Sequence, residues 1–87
     1  MTKAEKNLSK YGFYLLRQTT IKIDDKTSYP VIDYASFLDS DKTDYDMVIT
    51  FDPSQYCVGL WCKNQGTIFV EPPLLAAIQE RISELNF

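Results

Sequence analysis

From Asp46 to Pro72 the chain reads "DMVITFD", "QYCVGLWC" and "TIFVEP", three runs rich in β-branched and aromatic residues. Only "PS" and "KNQG" separate them. Connections this short join antiparallel neighbours, because parallel strands need a crossover of about a dozen residues or more. Asp52–Pro53–Ser54 begins the first turn, since proline fixes φ and aspartate bonds the backbone beyond it. Asn64–Gln65–Gly66 supplies the second. A chain with this spacing is held to a meander, and the rest must fold around it.

Upstream, "FYLLRQTTIKI" (13–23) favours another strand by the same composition. Phe13, Leu15, Thr19, Ile21 and Ile23 share one phase, with Arg17 as the exception; Tyr14, Leu16, Gln18, Thr20 and Lys22 fill the other. "DDKTS" then reads as a turn. "YPVIDYASFL" (29–38) supports two readings. Val31, Ile32, Ala35 and Leu38 fit a helical stripe, whereas Val31, Asp33, Ala35 and Phe37 fit a strand less well. A helix here would barely make two turns, which favours a strand or irregular segment.

Helices are expected at both ends. Thr2 and Glu5 have capping-box spacing, Ala4, Leu8 and Tyr11 form a short apolar stripe, and Gly12 suits the left-handed stop. At the other end, Pro72 or Pro73 suits the first turn of "PPLLAAIQERISELNF". Leu74, Ile78, Ile82 and Leu85 lie on one face there, with Leu75 beside them. The expectation is a single α+β domain over residues 1–87. It comprises a small antiparallel sheet of four or so strands, a short N-terminal helix and a longer C-terminal amphipathic helix.

Met47, Ile49 and Phe51 can share a sheet face with Val58 and Leu60, against the helices. The other face then keeps Tyr14, Leu16, Val48, Trp61 and Phe69, too much apolar surface for two helices to cover as well. The preferred expectation is that residues 29–38 cover it; the alternative is self-association or partner binding.

Charge is segregated along the chain. Residues 1–23 carry Lys3, Lys6, Lys10, Arg17 and Lys22 against Glu5, and residues 24–52 carry eight aspartates against Lys26 and Lys42. The densest acidic stretch is "DSDKTDYD" (39–46). Counted from Asp39 as an EF-hand loop, Asp44 stands where glycine is required and Thr50 where the bidentate glutamate belongs, so no metal or cofactor site is assigned. A hydrated loop is the plainest reading; an acidic contact surface for a partner is the functional one.

Catalytic chemistry has little to draw on. The chain has no histidine, which excludes Ser–His and Cys–His nucleophiles, and its three glycines form no phosphate-cradling motif. Cys57 and Cys62 are an odd number of positions apart on one strand, hence on opposite faces and poorly placed to bridge, which fits free thiols in a reducing compartment. A pI of about 4.7 disfavours nucleic acid, although Lys3, Lys6 and Lys10 share one face of the first helix. No apolar run is long enough to span a bilayer, and the polar opening lacks a signal core, so a cytoplasmic location is expected.

In layout, with the lysine-rich opening "MTKAEKNLSKYGF", aromatic-rich strands and the closing helix "EPPLLAAIQERISELNF", the whole chain resembles short accessory proteins encoded by phages and prophages of Gram-positive bacteria. The resemblance carries over no functional residue. It implies a protein that acts by binding, including binding to host defence or replication machinery. The sequence therefore points to a non-enzymatic interaction protein. Its candidate contacts are Asp39, Asp41, Asp44, Tyr45 and Asp46 in the acidic loop and Trp61 on the spare sheet face. The alternatives are a homodimer through that face and a module that uses the aspartates with a divalent cation.

Overall fold

A computed structural model describes all 87 residues. Helix α1 (Lys3–Lys10) leads into β1 (Tyr14–Lys22), β2 (Ser28–Phe37), β3 (Tyr45–Asp52) and β4 (Cys57–Cys62), and helix α2 (Pro72–Leu85) closes the chain. The strands form one sheet in the order β1-β2-β3-β4, each antiparallel to the next. The α+β architecture read from the sequence is the one observed. No helix is long and apolar enough to cross a membrane.

The connections carry the expected chemistry. Asp24 Oδ1 accepts from the amides of Lys26 and Thr27, both at 2.8 Å, to close the β1–β2 turn. Asp52 accepts from the Ser54 amide to start a 3-10 turn over Pro53–Gln55, and Asn64 accepts from the Gly66 amide. Gly12 sits at φ 85°, a conformation in which it alone escapes Cβ strain, and turns the chain from α1 into β1.

Two expectations need correction. Residues 29–38 cover nothing, because β2 is an interior strand, paired to β1 from Tyr14↔Ala35 to Lys22↔Ser28 and to β3 from Ile32↔Phe51 to Phe37↔Tyr45. "TIFVEP", by contrast, is no strand of the sheet. Ile68 and Val70 alternate inward onto the core while Phe69 and Glu71 stay exposed, so its period-two pattern reflects packing without pairing. Phe69 consequently lies off the open sheet face. It lines a cavity beside Tyr11, Phe13 and Leu74 instead.

Both helices pack on the same side of the sheet. Ile32 and Tyr34 of β2 with Met47, Ile49 and Phe51 of β3 meet Leu8 of α1 and Leu74, Ala77 and Ile78 of α2 in one core, and Phe13 closes its end. The Tyr34 ring meets Phe51 edge-on with centroids 5.6 Å apart.

A buried polar cluster fastens the helices to each other and to the sheet. Arg81 lies at 8% exposure on the apolar stripe of α2. Its Nε donates to Tyr34 Oη (3.0 Å) and its Nη1 to Glu84 Oε1 (3.0 Å), while Tyr34 Oη donates to Glu5 Oε2 (2.7 Å). Glu5 completes the capping box with Thr2, and Glu84 accepts from Thr2 Oγ1 and the Ala4 amide, so α2 caps α1. Burial acts to raise the Glu5 carboxyl, but the Thr2 amide, the Tyr34 hydroxyl and the Arg81 charge outweigh it and hold it below its ordinary value. Glu84 is lowered in the same way, with burial opposed by Thr2, the Ala4 amide and Arg81. Burial, then the bond to Glu5, pushes the Tyr34 phenol well up, so it stays protonated and donating.

Tyr34→Phe would leave the buried Arg81 Nε without an acceptor, at a cost of about 1–3 kcal/mol. Urea unfolding at neutral pH should show this loss, with the far-ultraviolet spectrum unchanged. The carboxyls set the pH dependence. Glu5 and Glu84 are depressed in the folded state, so their stabilisation is present above the ordinary value of 4.5 and is lost as pH falls through their lower folded values. The urea midpoint should therefore fall as pH drops below about 4.5. A Glu5→Gln/Glu84→Gln variant should be weaker at neutral pH and show a flatter acid limb.

Candidate functional site

With both helices on one side, the opposite face of the sheet is open. Cross-strand pairing places two rows on it. Tyr14, Ala35, Val48 and Trp61 form one; Arg17, Asp33, Thr50 and Gly59 form the next. A bulge explains the first strand. The register steps from Leu15↔Tyr34 to Arg17↔Asp33, so Leu16 is unpaired and every later side chain of β1 changes face. Leu15 thus points to the helix side while Arg17, Thr19 and Ile21 point to the open side, which splits the single phase read from the sequence.

The first row is apolar and only partly roofed. Ala35 is fully buried and Val48 nearly so beneath their larger neighbours, while Tyr14 and Trp61 remain 42% and 46% exposed. Lys42 bends back over this row, with Nζ 4.7 Å from the Tyr14 ring centroid. Tyr45 packs edge-on against Phe37 at 5.5 Å and borders the same surface.

The second row is polar and internally bonded. Asp33 is 8% exposed, accepting from Arg17 Nε on one oxygen and from Thr50 Oγ1 on the other. The hydrogen bond and charge of Asp33 raise the Arg17 guanidinium further above its already high ordinary value. Arg17, Tyr45, Val48, Thr50 and Trp61 line a shallow cavity of about 290 Å³. Gly59 presents no side chain in that row, which leaves the space beside Trp61 clear.

The acidic loop is arranged differently from a contact surface. Asp39 turns inward on its own loop, accepting from the amides of Thr43 and Asp44 and from Thr43 Oγ1. The Thr43 hydroxyl and then the Asp44 amide hold its carboxyl below the ordinary range. Asp44 pairs with Lys63 at 2.6 Å. Asp46 is the extra residue of a second bulge, between Ser36↔Met47 and Phe37↔Tyr45, and lines the helix-side cavity near Glu71. Asp41 and Asp46 are both exposed, and neither carboxylate has a hydrogen bond or ion pair. The six candidate residues therefore do not form one site: Tyr45 and Trp61 meet on the open face, and the four carboxylates disperse. No three carboxylates or thiols converge on a point that an ion could share.

Two other hollows lie on the helix side of the sheet. The one of about 460 Å³ by Tyr11, Phe13, Met47, Phe69 and Leu74 is floored by core side chains and has Asp46 and Glu71 at its rim. The one of about 280 Å³ between β4 and α2 is lined by Val58, Leu60, Val70, Leu75, Ile78 and Ile82, with Gln79 as its one polar group.

Arg17, Asp33 and Thr50 were missing from the sequence-derived contacts. Their signal was present, since Arg17 interrupts an apolar phase and Asp33 interrupts β2, but it becomes legible only once the two strands are known to pair. Cys57 and Cys62 are free and fall on opposite faces of β4.

Asp39→Ala removes the acceptor that closes the acidic loop. Hydrogen exchange should accelerate at the Thr43 and Asp44 amides in that variant and stay unchanged in Asp41→Asn; equal protection in both variants would contradict the geometry. Comparison of the chain with protein-family models, curated proteins and solved structures finds no match in any of the three.

Proposed function

We propose that this chain is a small interaction protein without catalytic activity, and that it binds a protein partner through the open face of its sheet. One observation carries the reading. Trp61 and Tyr14 are 46% and 42% exposed on a row floored by buried Ala35 and Val48, and no element of the chain covers them. Exposed aromatics clustered over an apolar floor, with polar groups at the margin, have the composition of a recognition surface. The acidic loop contributes Tyr45 and the Lys42 side chain to the edge of that face rather than a carboxylate surface of its own.

The absence of catalysis in this reading rests on the residues themselves. There is no imidazole, the two thiols point apart, and Asp24, Asp33, Asp39, Asp44 and Asp52 are engaged in turns or ion pairs. A role as an accessory factor or inhibitor of a mobile element, acting in the cytoplasm, extends the proposal on the strength of layout alone. The same uncovered row would also serve a symmetric dimer. Light scattering separates the two, because a strict monomer at high concentration removes the dimer.

Selection from a displayed library of random peptides tests the proposal. Peptides retained by the wild-type protein should bind Trp61→Ala and Tyr14→Ala about tenfold more weakly, the loss expected of an aromatic contact. They should bind Asp41→Asn normally. Selected peptides indifferent to both aromatic changes, or weakened only by the Asp41 change, would overturn it.

A further inference from the structure

We infer that the segment received by the open face is acidic, and that Arg17 grips one of its carboxylates while apolar side chains rest on the Tyr14–Trp61 row. This rests on the proposed function above and assigns its partner chemistry.

The inference starts from the state of the Arg17 side chain. Nε is held by Asp33, which is itself held by Thr50 and is buried. Neither Nη group has a partner within the chain, and the side chain remains 64% exposed. A guanidinium anchored through Nε presents its outer edge as a fixed fork of donors. Such a fork matches a planar carboxylate and loses little further rotamer freedom on binding. The Asp33 carboxylate cannot swing out to meet those donors itself, because its second oxygen is committed to Thr50 inside the sheet.

The surroundings define what accompanies the carboxylate. The cavity beside Arg17 is walled by Tyr45 and Trp61 and floored by Val48 and Thr50. At about 290 Å³ it has room for one or two side chains, at the small end for ligand pockets.

The Arg17 fork selects the class of partner. Arg17 with Asp33 and Lys63 with Asp44 form pairs of no net charge, and the Asp52 carboxylate, which alternation along β3 puts on the same face, offsets Lys42. The aromatic surface on this side is thus close to neutral, and its directional donors rather than its net charge define what it can hold. A nucleic-acid backbone would need a run of cations to track its phosphates, and the face has none. One directional fork plus one ammonium suits an acidic protein segment with apolar neighbours. This differs from the acidic contact surface read from "DSDKTDYD".

Trp61 is the only tryptophan and lies in the site, so its emission reports occupancy directly. Three synthetic peptides of alternating leucine and a second residue serve as probes, the second residue being glutamate, glutamine or lysine. The glutamate peptide should shift Trp61 emission and bind about tenfold or more tighter than its amide twin, the worth of one charge-assisted hydrogen bond. The lysine peptide should not bind. In Arg17→Gln/Asp33→Asn, which removes the ion pair as a unit so that no lone charge is buried, the preference should shrink below about threefold. Arg17→Lys, which keeps the charge and loses the fork, should fall between.

Equal binding of the acid and amide peptides would overturn the inference, as would a preference that survives both Arg17 variants. So would an oligothymidylate that binds tighter than the glutamate peptide. Library-selected peptides that bind through Trp61 and Tyr14 without any acidic bias would remove this inference and leave the proposed function standing. A library that yields no binder dependent on those aromatics would remove both.

Discussion

One buried arginine organises this fold. Arg81 sits on the apolar stripe of α2, and its hydrogen bonds to Tyr34 and Glu84, with Glu5 closing the ring, tie α1, α2 and β2 together. A buried guanidinium without such partners would be severely destabilising, so the cluster forms only when both helices lie against the same side of the sheet. The helices cannot be shared between the two faces. The uncovered face is therefore a consequence of how the core is fastened.

That consequence shapes the surface. A four-stranded antiparallel sheet can leave one face to water if that face is polar. Here half the requirement is met. The row of Arg17, Asp33 and Thr50 is polar and internally satisfied, while the adjoining row keeps Tyr14, Val48 and Trp61. Large side chains shelter the floor, which is why Ala35 is inaccessible although no other layer lies above it. The shelter is made of the aromatics that a partner would touch. The loop from Asp39 to Asp44 stands at the margin; Asp39 closes the loop itself, Asp44 pairs with Lys63, and Asp41 stays free.

Much of the fold was legible in the residues. The capping box, Gly12, the turn chemistry of Asp52 and Asn64 and the stripe of α2 are local signals, and each element formed where its signal lay. Three features depended on long-range pairing and were not legible. A bulge at Leu16 exchanges the faces of β1, and alternation alone cannot reveal a one-residue slip. "TIFVEP" alternates because its inner side chains meet the core, a pattern identical to that of a paired strand. Arg81, a charged residue seven positions beyond Leu74, completes the apolar stripe, and nothing in the apolar pattern marks it as buried. For the candidate site, Trp61 was found as an aromatic on the spare sheet face and Tyr45 only as a member of the acidic loop. The aspartates drew notice by density, which says nothing about where their oxygens are already bonded.

The emission spectrum and acrylamide quenching of Trp61 in a dilute, partner-free solution give the most direct check on the uncovered face. If nothing lies over the sheet, emission should sit toward the wavelength of hydrated indole and acrylamide should quench it efficiently, with no change on further dilution. A blue-shifted spectrum that resists the quencher would mean that another part of the molecule, or another copy of it, already occupies that side.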